Sequence, residues 1–208
     1  MAYTPSSFHR HLAAVDGEVT ALFRRVAALV PVATEILLAG DTARAAALVA
    51  EDRGNEVLSG VENMLEVDVA RGTPMGSDLR FLLTVLRIVP EMERTSDLAL
   101  HVAQRASIGG QLPQPIRDSF ASMGHIAGRM WDVAGDGWVA RDVRVADRLD
   151  TEDDDLDGAV SDMHATVTGH GLDPTLSMEC SLLGRFYERL GDHAVNVSRR
   201  LRWMVGPV

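Results

Sequence analysis

Residues 93–99, Glu93-Arg94-Thr95-Ser96-Asp97-Leu98-Ala99, return 95 residues later as residues 188–194, Glu188-Arg189-Leu190-Gly191-Asp192-His193-Ala194. Each copy lies in a segment whose apolar residues are spaced by three or four, so each reads as helix. The shared Glu-Arg-x-x-Asp recurs at a period near half the chain length, which marks an internal duplication of one unit. In each copy the two carboxylates stand one helical turn apart on one face. Like charges so placed weaken a helix, and the pair calls for a reason. A cation between them is one; a solvated acidic face with Arg94 and Arg189 as neighbours is the other.

Helical spacing extends outward from the motifs in both directions. Leu12, Val15, Val19, Leu22, Val26 and Leu29 place a helix over Ser7 to Ala39, with a kink expected at Pro31. Gly40 stops it, Asp41 or Thr42 caps a second helix predicted to reach about Ala70, and Arg71-Gly72-Thr73-Pro74 is a turn. Ser77 and Asp78 open a third helix that runs through Leu79, Leu82, Leu83, Leu86, Val89 and the Glu93 motif to about Gln104, with a bend expected at Pro90. Ser107 to Pro115, rich in Gly, Gln and Pro, reads as a linker and divides the chain into units 1–108 and 109–208. In the second unit the spacing predicts a helix from Ile116 to Ala134, a turn at Gly135-Asp136-Gly137, and a long helix from Trp138 to about Thr168. Gly169-His170-Gly171 closes that helix, and Asp173-Pro174 starts a last one that carries the Glu188 motif to about Met204. No segment alternates with period two. The expected fold is all-α, two tandem pseudo-symmetric three-helix bundles.

Composition narrows the function. Of 208 residues 46% are hydrophobic and only 5% aromatic, so the core is expected to be Leu, Val and Ala, a balance that favours helices. The net charge of -10 argues against free nucleic acid and suits a cation or a basic protein surface. Every basic side chain is Arg, and without Lys neither a Schiff base nor a Walker-type phosphate site can form. Cys180 is the only cysteine, which excludes an intrachain disulfide and a cysteine metal site and fits a reducing, cytoplasmic compartment. Residues Met1 to Arg10 lack the pattern of a signal peptide, and the most apolar window, Val26 to Leu38, is interrupted by Pro31, Thr34 and Glu35. Membrane contact would therefore come through a partner.

The middle helix of each unit carries a second acidic pair: Asp52 and Glu56 followed by Leu58, and Asp150 and Asp154 followed by Leu156. Short turns make the second and third helices of a bundle neighbours, which would gather Asp52, Glu56, Glu93 and Asp97 in one unit and Asp150, Asp154, Glu188 and Asp192 in the other. Clustered carboxylates raise one another's pKa unless a cation intervenes, and oxygen-only ligands select iron, manganese or magnesium. On a helical wheel Glu188 and Asp192 lie opposite the apolar arc and face out, whereas Glu93 and Asp97 fall among apolar residues. Arg80, Arg87 and Arg94, seven apart, draw a basic stripe that suits an acidic partner or a phosphate group, or else is a solvated face. His193 and His101 suit capping or core roles, Trp131, Trp138 and Trp203 packing, and Cys180 a buried position. Of the run Asp153-Asp154-Asp155, only Asp154 has a counterpart in the first unit. A carboxylate-bridged di-metal enzyme would need Glu-x-x-His, and none of the seven histidines has it; an oligomerising structural bundle is the third class.

Beyond spacing, Ala70-Arg71-Gly72-Thr73-Pro74, Ser77-Asp78-Leu79-Arg80, Leu86-Arg87, the Glu93 motif and Tyr187-Glu188-Arg189-Leu190-Gly191-Asp192-His193-Ala194-Val195-Asn196-Val197 together resemble the PhoU family of phosphate-uptake regulators. The resemblance covers about Phe8 to Arg200. It implies two three-helix bundles whose acidic motifs hold multinuclear iron or zinc clusters in some members and are empty in others. The ligands it implies are Glu93, Asp97, Glu188 and Asp192, with Asp52, Glu56, Asp150 and Asp154. The resemblance further implies a non-enzymatic cytoplasmic adaptor between the ATPase subunit of a phosphate ABC transporter and a sensor histidine kinase, with a homodimer compatible with that role. Thr95-Ser96 in place of Ile-Gly, Pro90, and Phe186 at a position often acidic or amide depart from the family pattern.

Overall fold

A computed structural model describes residues 5–51, 66 and 75–206, and the described residues form seven helices. They are α1 (Pro5–Ala39), α2 (Thr42–Ala50), α3 (Ser77–Ala103), α4 (Ala106–Gly109), α5 (Gln114–Ala140), α6 (Val145–His170) and α7 (Pro174–Val205). Local chemistry sets the ends. The Asp41 carboxylate accepts the Arg44 N–H at 2.8 Å to start α2, and Asp173 accepts those of Thr175 and Leu176 at 2.9 and 3.2 Å to start α7, with Pro174 pre-set for the first turn. Gly171 ends α6 in the left-handed region. Pro31 and Pro90 lie inside uninterrupted helices. The predicted extension of the second helix to Ala70 and the turn at 71–74 lie outside the described residues.

Two expectations are corrected. Within the predicted linker, Ser107, Ile108 and Gly109 belong to the short α4, and Arg117 donates to the carbonyls of Gly109 and Leu38 at 2.7 and 2.6 Å, capping α4 and α1 together. The predicted turn at Gly135-Asp136-Gly137 is helical, and α5 runs on to Ala140, where Arg141 turns left-handed at φ 54°. Gly137 there serves packing: a Cβ on it would stand 2.6 Å from Val145 Cγ2, so the glycine lets the start of α6 close over α5.

The two halves of the sequence share one core. α1 packs on α3 and α5, α7 packs on α3 and α5, α6 covers α5 and α7, and α2 leans on α1 and α3. The buried apolar cluster is continuous from Val15 to Leu201. Aromatic residues join the halves. Trp138 stacks against Phe23 of α1 and Phe81 of α3 with centroids 5.8 and 6.0 Å apart, and its indole N–H donates to Asp16 at 2.8 Å. Arg141 closes this corner, 2.7 Å from Asp16 and with its guanidinium 4.4 Å from the Trp138 ring centre. The Tyr187 hydroxyl meets Thr34 Oγ1 at 2.8 Å, and within the second half Trp131 donates to the Leu190 carbonyl at 3.0 Å. Each such buried side chain stabilises the fold by about 1.5–3 kcal/mol through area alone. Trp131 and Trp138 thus pack as expected, whereas Trp203 is 43% exposed on the last turns of α7. Cys180 is buried. No helix among the described residues is long and apolar enough to cross a membrane.

Candidate functional site

The two copies of the duplicated motif sit in matching environments. Glu93 and Glu188 are half-buried, and Asp97 and Asp192 one turn later are exposed, so the pseudo-repeat preserves burial as well as sequence. In the second half, α6 runs beside α7 and brings its own carboxylates to this pair. They are Asp153 and Asp157 rather than Asp150 and Asp154. Burial raises Asp153 to about 6, and the negative charges of Asp157, Asp192 and Asp154 add to the effect. Burial also raises Asp157, with Glu188, Asp192 and Asp154 adding to it, while the Arg185 guanidinium opposes the shift. Asp154 and Asp157 are both exposed, and Asp154 acts on the other two only through its charge.

Asp150 is engaged elsewhere: its carboxylate accepts from Arg199 at 2.9 Å, and one turn earlier Asp147 accepts from Arg202 at 2.5 Å. These pairs clamp the end of α7 to the start of α6. Arg185 pairs with Glu188 and bounds the cluster on its other side. Gly191 shapes the centre, because a Cβ there would stand 2.7 Å from Asp153 Oδ1 and 2.7 Å from Leu156 Cδ2. The absent side chain is what lets the Asp153 carboxylate lie against the α7 backbone. This arrangement offers only oxygen donors, already repelling one another, on two adjacent helices, a donor set that fits a hard cation. Among the described residues no three His, Cys, Asp or Glu side chains converge into a metal-sized group, so the carboxylates line the surface and would have to draw together around an ion. Asp52 and Glu56 lie outside the described residues, which leaves Glu93 and Asp97 as the described part of the first acidic set.

The basic stripe divides in three. Arg80 donates to the Gly206 carbonyl at 2.5 Å and caps α7. Arg87 is exposed, its guanidinium 5.8 Å from the Trp203 ring centre, and Arg94 is exposed and pairs with Glu91 at 3.0 Å. The second oxygen of Glu91 meets Nδ1 of the buried His193 at 2.5 Å, tying α3 to α7. His193 therefore joins the two helices instead of facing the carboxylates, in keeping with a core role. His101 is exposed beside Phe186, ring centres 5.7 Å apart.

The PhoU domain pattern matches the chain twice, over residues 19–106 and 120–201. The chain belongs to the PhoU family. It is 30% identical over 210 residues to the phosphate-specific transport system accessory protein PhoU homolog 1 of Mycobacterium tuberculosis, covering 95% of this chain and 92% of that protein. Its fold superposes on crystal structures of PhoU from Pseudomonas aeruginosa, with TM-score 0.87, 23% identity and coverage of 95% and 98%, and of the phosphate transport system regulatory protein PhoU from Streptococcus pneumoniae, with TM-score 0.81, 20% identity and coverage of 95% and 96%. Each PhoU domain thus contributes one copy of the acidic motif, Glu93 with Asp97 and Glu188 with Asp192. The second PhoU domain adds Asp153 and Asp157, which sequence reasoning passed over. The buried residues Leu149, Leu156 and Met163, seven apart, carried the signal that fixes the phase of Asp153.

Proposed function

We propose that this PhoU-family chain is a cytoplasmic negative regulator of phosphate uptake and phosphate-starvation signalling, an adaptor between the ATPase subunit of a phosphate ABC transporter and a sensor histidine kinase. The observation that carries the reading is the pair of PhoU domains spanning most of the chain, together with relatives named for phosphate transport. An adaptor works through surface, and the exposed Arg87 and Arg94 supply rim charges for an acidic partner that set association rate and choice of partner. Asp153, Asp157, Glu188 and Asp192 of the second domain would hold a hard or borderline cation, with Glu93 and Asp97, and the Asp52 and Glu56 expected from sequence, as the first-domain set. Bound there, iron, zinc, manganese or magnesium would supply positive charge that offsets carboxylate repulsion and ties α6 to α7.

Deleting the gene tests the regulatory reading: phosphate-starvation genes should stay on in abundant phosphate. Proper repression in the deletion strain, with no second copy covering for it, overturns it. Reversing Arg87 and Arg94 to Glu should weaken capture of the ATPase subunit or kinase, most strongly at low salt, without unfolding the bundle. Elemental analysis of protein purified without chelator tests the cation, and Asp153→Asn with Asp192→Asn should lower the metal content.

A further inference from the structure

A polar groove of about 640 Å³ opens between α3 and α7, lined by Arg87, Pro90, Glu91, Arg94, Asn196 and Arg200. Helical register builds it. Residues 87, 91 and 94 share one face of α3, and 196 and 200 stand one turn apart on α7. Three guanidinium groups and an amide therefore face one space in a chain of net charge -10. The one carboxylate is already engaged, one oxygen with Arg94 at 3.0 Å and the other with His193 at 2.5 Å. Among the described residues neither Arg87 nor Arg200 forms an ion pair; Arg87 only borders the Trp203 ring.

The duplication supplies an internal comparison. Arg200 occupies in the second copy the position of Arg105 in the first, and Phe186 that of Glu91. Arg105 is taken up by the protein: it donates to Glu179 at 3.0 Å and its guanidinium lies 4.9 Å from the Phe186 ring centre. The guanidinium of Arg200 is left to the groove.

We propose that this groove binds a small phosphate-bearing anion. Guanidinium forks match the oxygens of a tetrahedral phosphate group in pairs, and the amide of Asn196 adds a donor. The volume lies within the range of small-molecule sites, so it admits free phosphate or the phosphate group of a larger ester. The site goes beyond the adaptor reading and is tested apart from it, because the deletion strain decides one and purified protein the other.

Titration calorimetry on the full chain at low salt, with inorganic phosphate in one series and ATP without magnesium in another, should give saturable binding of at least one. Binding of phosphate alone makes the free ion the source of the ligand, and binding of ATP alone a phosphate ester. Arg87→Gln and Arg200→Gln should each weaken the bound anion about tenfold or more. Arg200→Lys, which keeps the charge and loses the fork, should weaken it less, and Arg189→Gln, outside the groove, should leave it unchanged. Melting curves confirm that each variant is folded. Saturable binding of neither probe, or binding indifferent to Arg87→Gln and Arg200→Gln in folded protein, overturns the proposal.

Discussion

Replacing Asp153 by Asn removes a charge that the folded chain holds at a cost. The carboxyl is raised from 3.8 to about 6, first by burial and then by the charges of Asp157, Asp192 and Asp154. A shift of that size corresponds to about 3 kcal/mol without screening, and solvent at this half-buried site reduces it to about 1 kcal/mol. The sign follows from linkage. The folded state holds the proton more tightly than the unfolded state, so stability is greatest below the unfolded value and declines as pH rises from about 4 to about 6. Asn, neutral throughout, escapes that decline. In chelator at about pH 7.5 Asp153→Asn should therefore be more stable by about 1 kcal/mol, a rise of about 2–4 °C in Tm. Near pH 4.5 the gap should shrink to about a third. Urea unfolding at the two pH values measures it. A variant less stable than the parent, or a gap of equal size at both, refutes the reasoning. Adding manganese should then stabilise the parent more than the variant, since only the parent keeps the full set of carboxylates.

Three further substitutions test the core, two at the joint between the halves and one within the second half. Asp16→Ala strips the acceptor from the buried Trp138 N–H and the partner from Arg141, and should lower stability by about 1–3 kcal/mol in urea unfolding. Tyr187→Phe deletes the hydroxyl that meets Thr34; because Thr34 already donates to the Val30 carbonyl at 3.0 Å, Tyr187 is the donor, and the loss should be about 1 kcal/mol by thermal melting. Gly137→Ala places a methyl group 2.6 Å from Val145 Cγ2 and should cost about 1–3 kcal/mol by overpacking, with Val145→Ala in the same chain restoring part of it.

The helices were legible where their ends carry their own chemistry. Asp41 and the Asp173-Pro174 pair announce caps that the structure uses, because a side-chain acceptor or a fixed φ acts within one turn and needs no tertiary partner. Gly135-Asp136-Gly137 misled for the opposite reason. A glycine pair is a turn signal when only neighbours in sequence are counted, yet these glycines are set by neighbours in space, Phe23 beside Gly135 and Val145 beside Gly137. Trp138 settles the matter, since it reaches Phe23, Phe81 and Asp16 only if α5 continues past the glycines.

The site was half legible, and the division has a geometric cause. Glu188 and Asp192 announce themselves by repetition, and so do Glu93 and Asp97. On α6 the acids are too many for repetition to select among them. Asp150 and Asp154 echo Asp52 and Glu56, a comparison of spacing without phase. Phase comes from Leu149, Leu156 and Met163, which are buried and define the inner line of the helix. At 100° per residue Asp153 lies about 60° from the mean direction of these three and Asp157 about 100°, whereas Asp154 lies about 160° away. Asp150, at about 120°, still reaches α7, where Arg199 meets it. A shift of one residue along a helix therefore exchanges a carboxylate pressed against Gly191 for one in solvent. Only the packing of α6 on α7 turns a run of aspartates into a site with one inner member, Asp153, and Asp157 at its exposed edge.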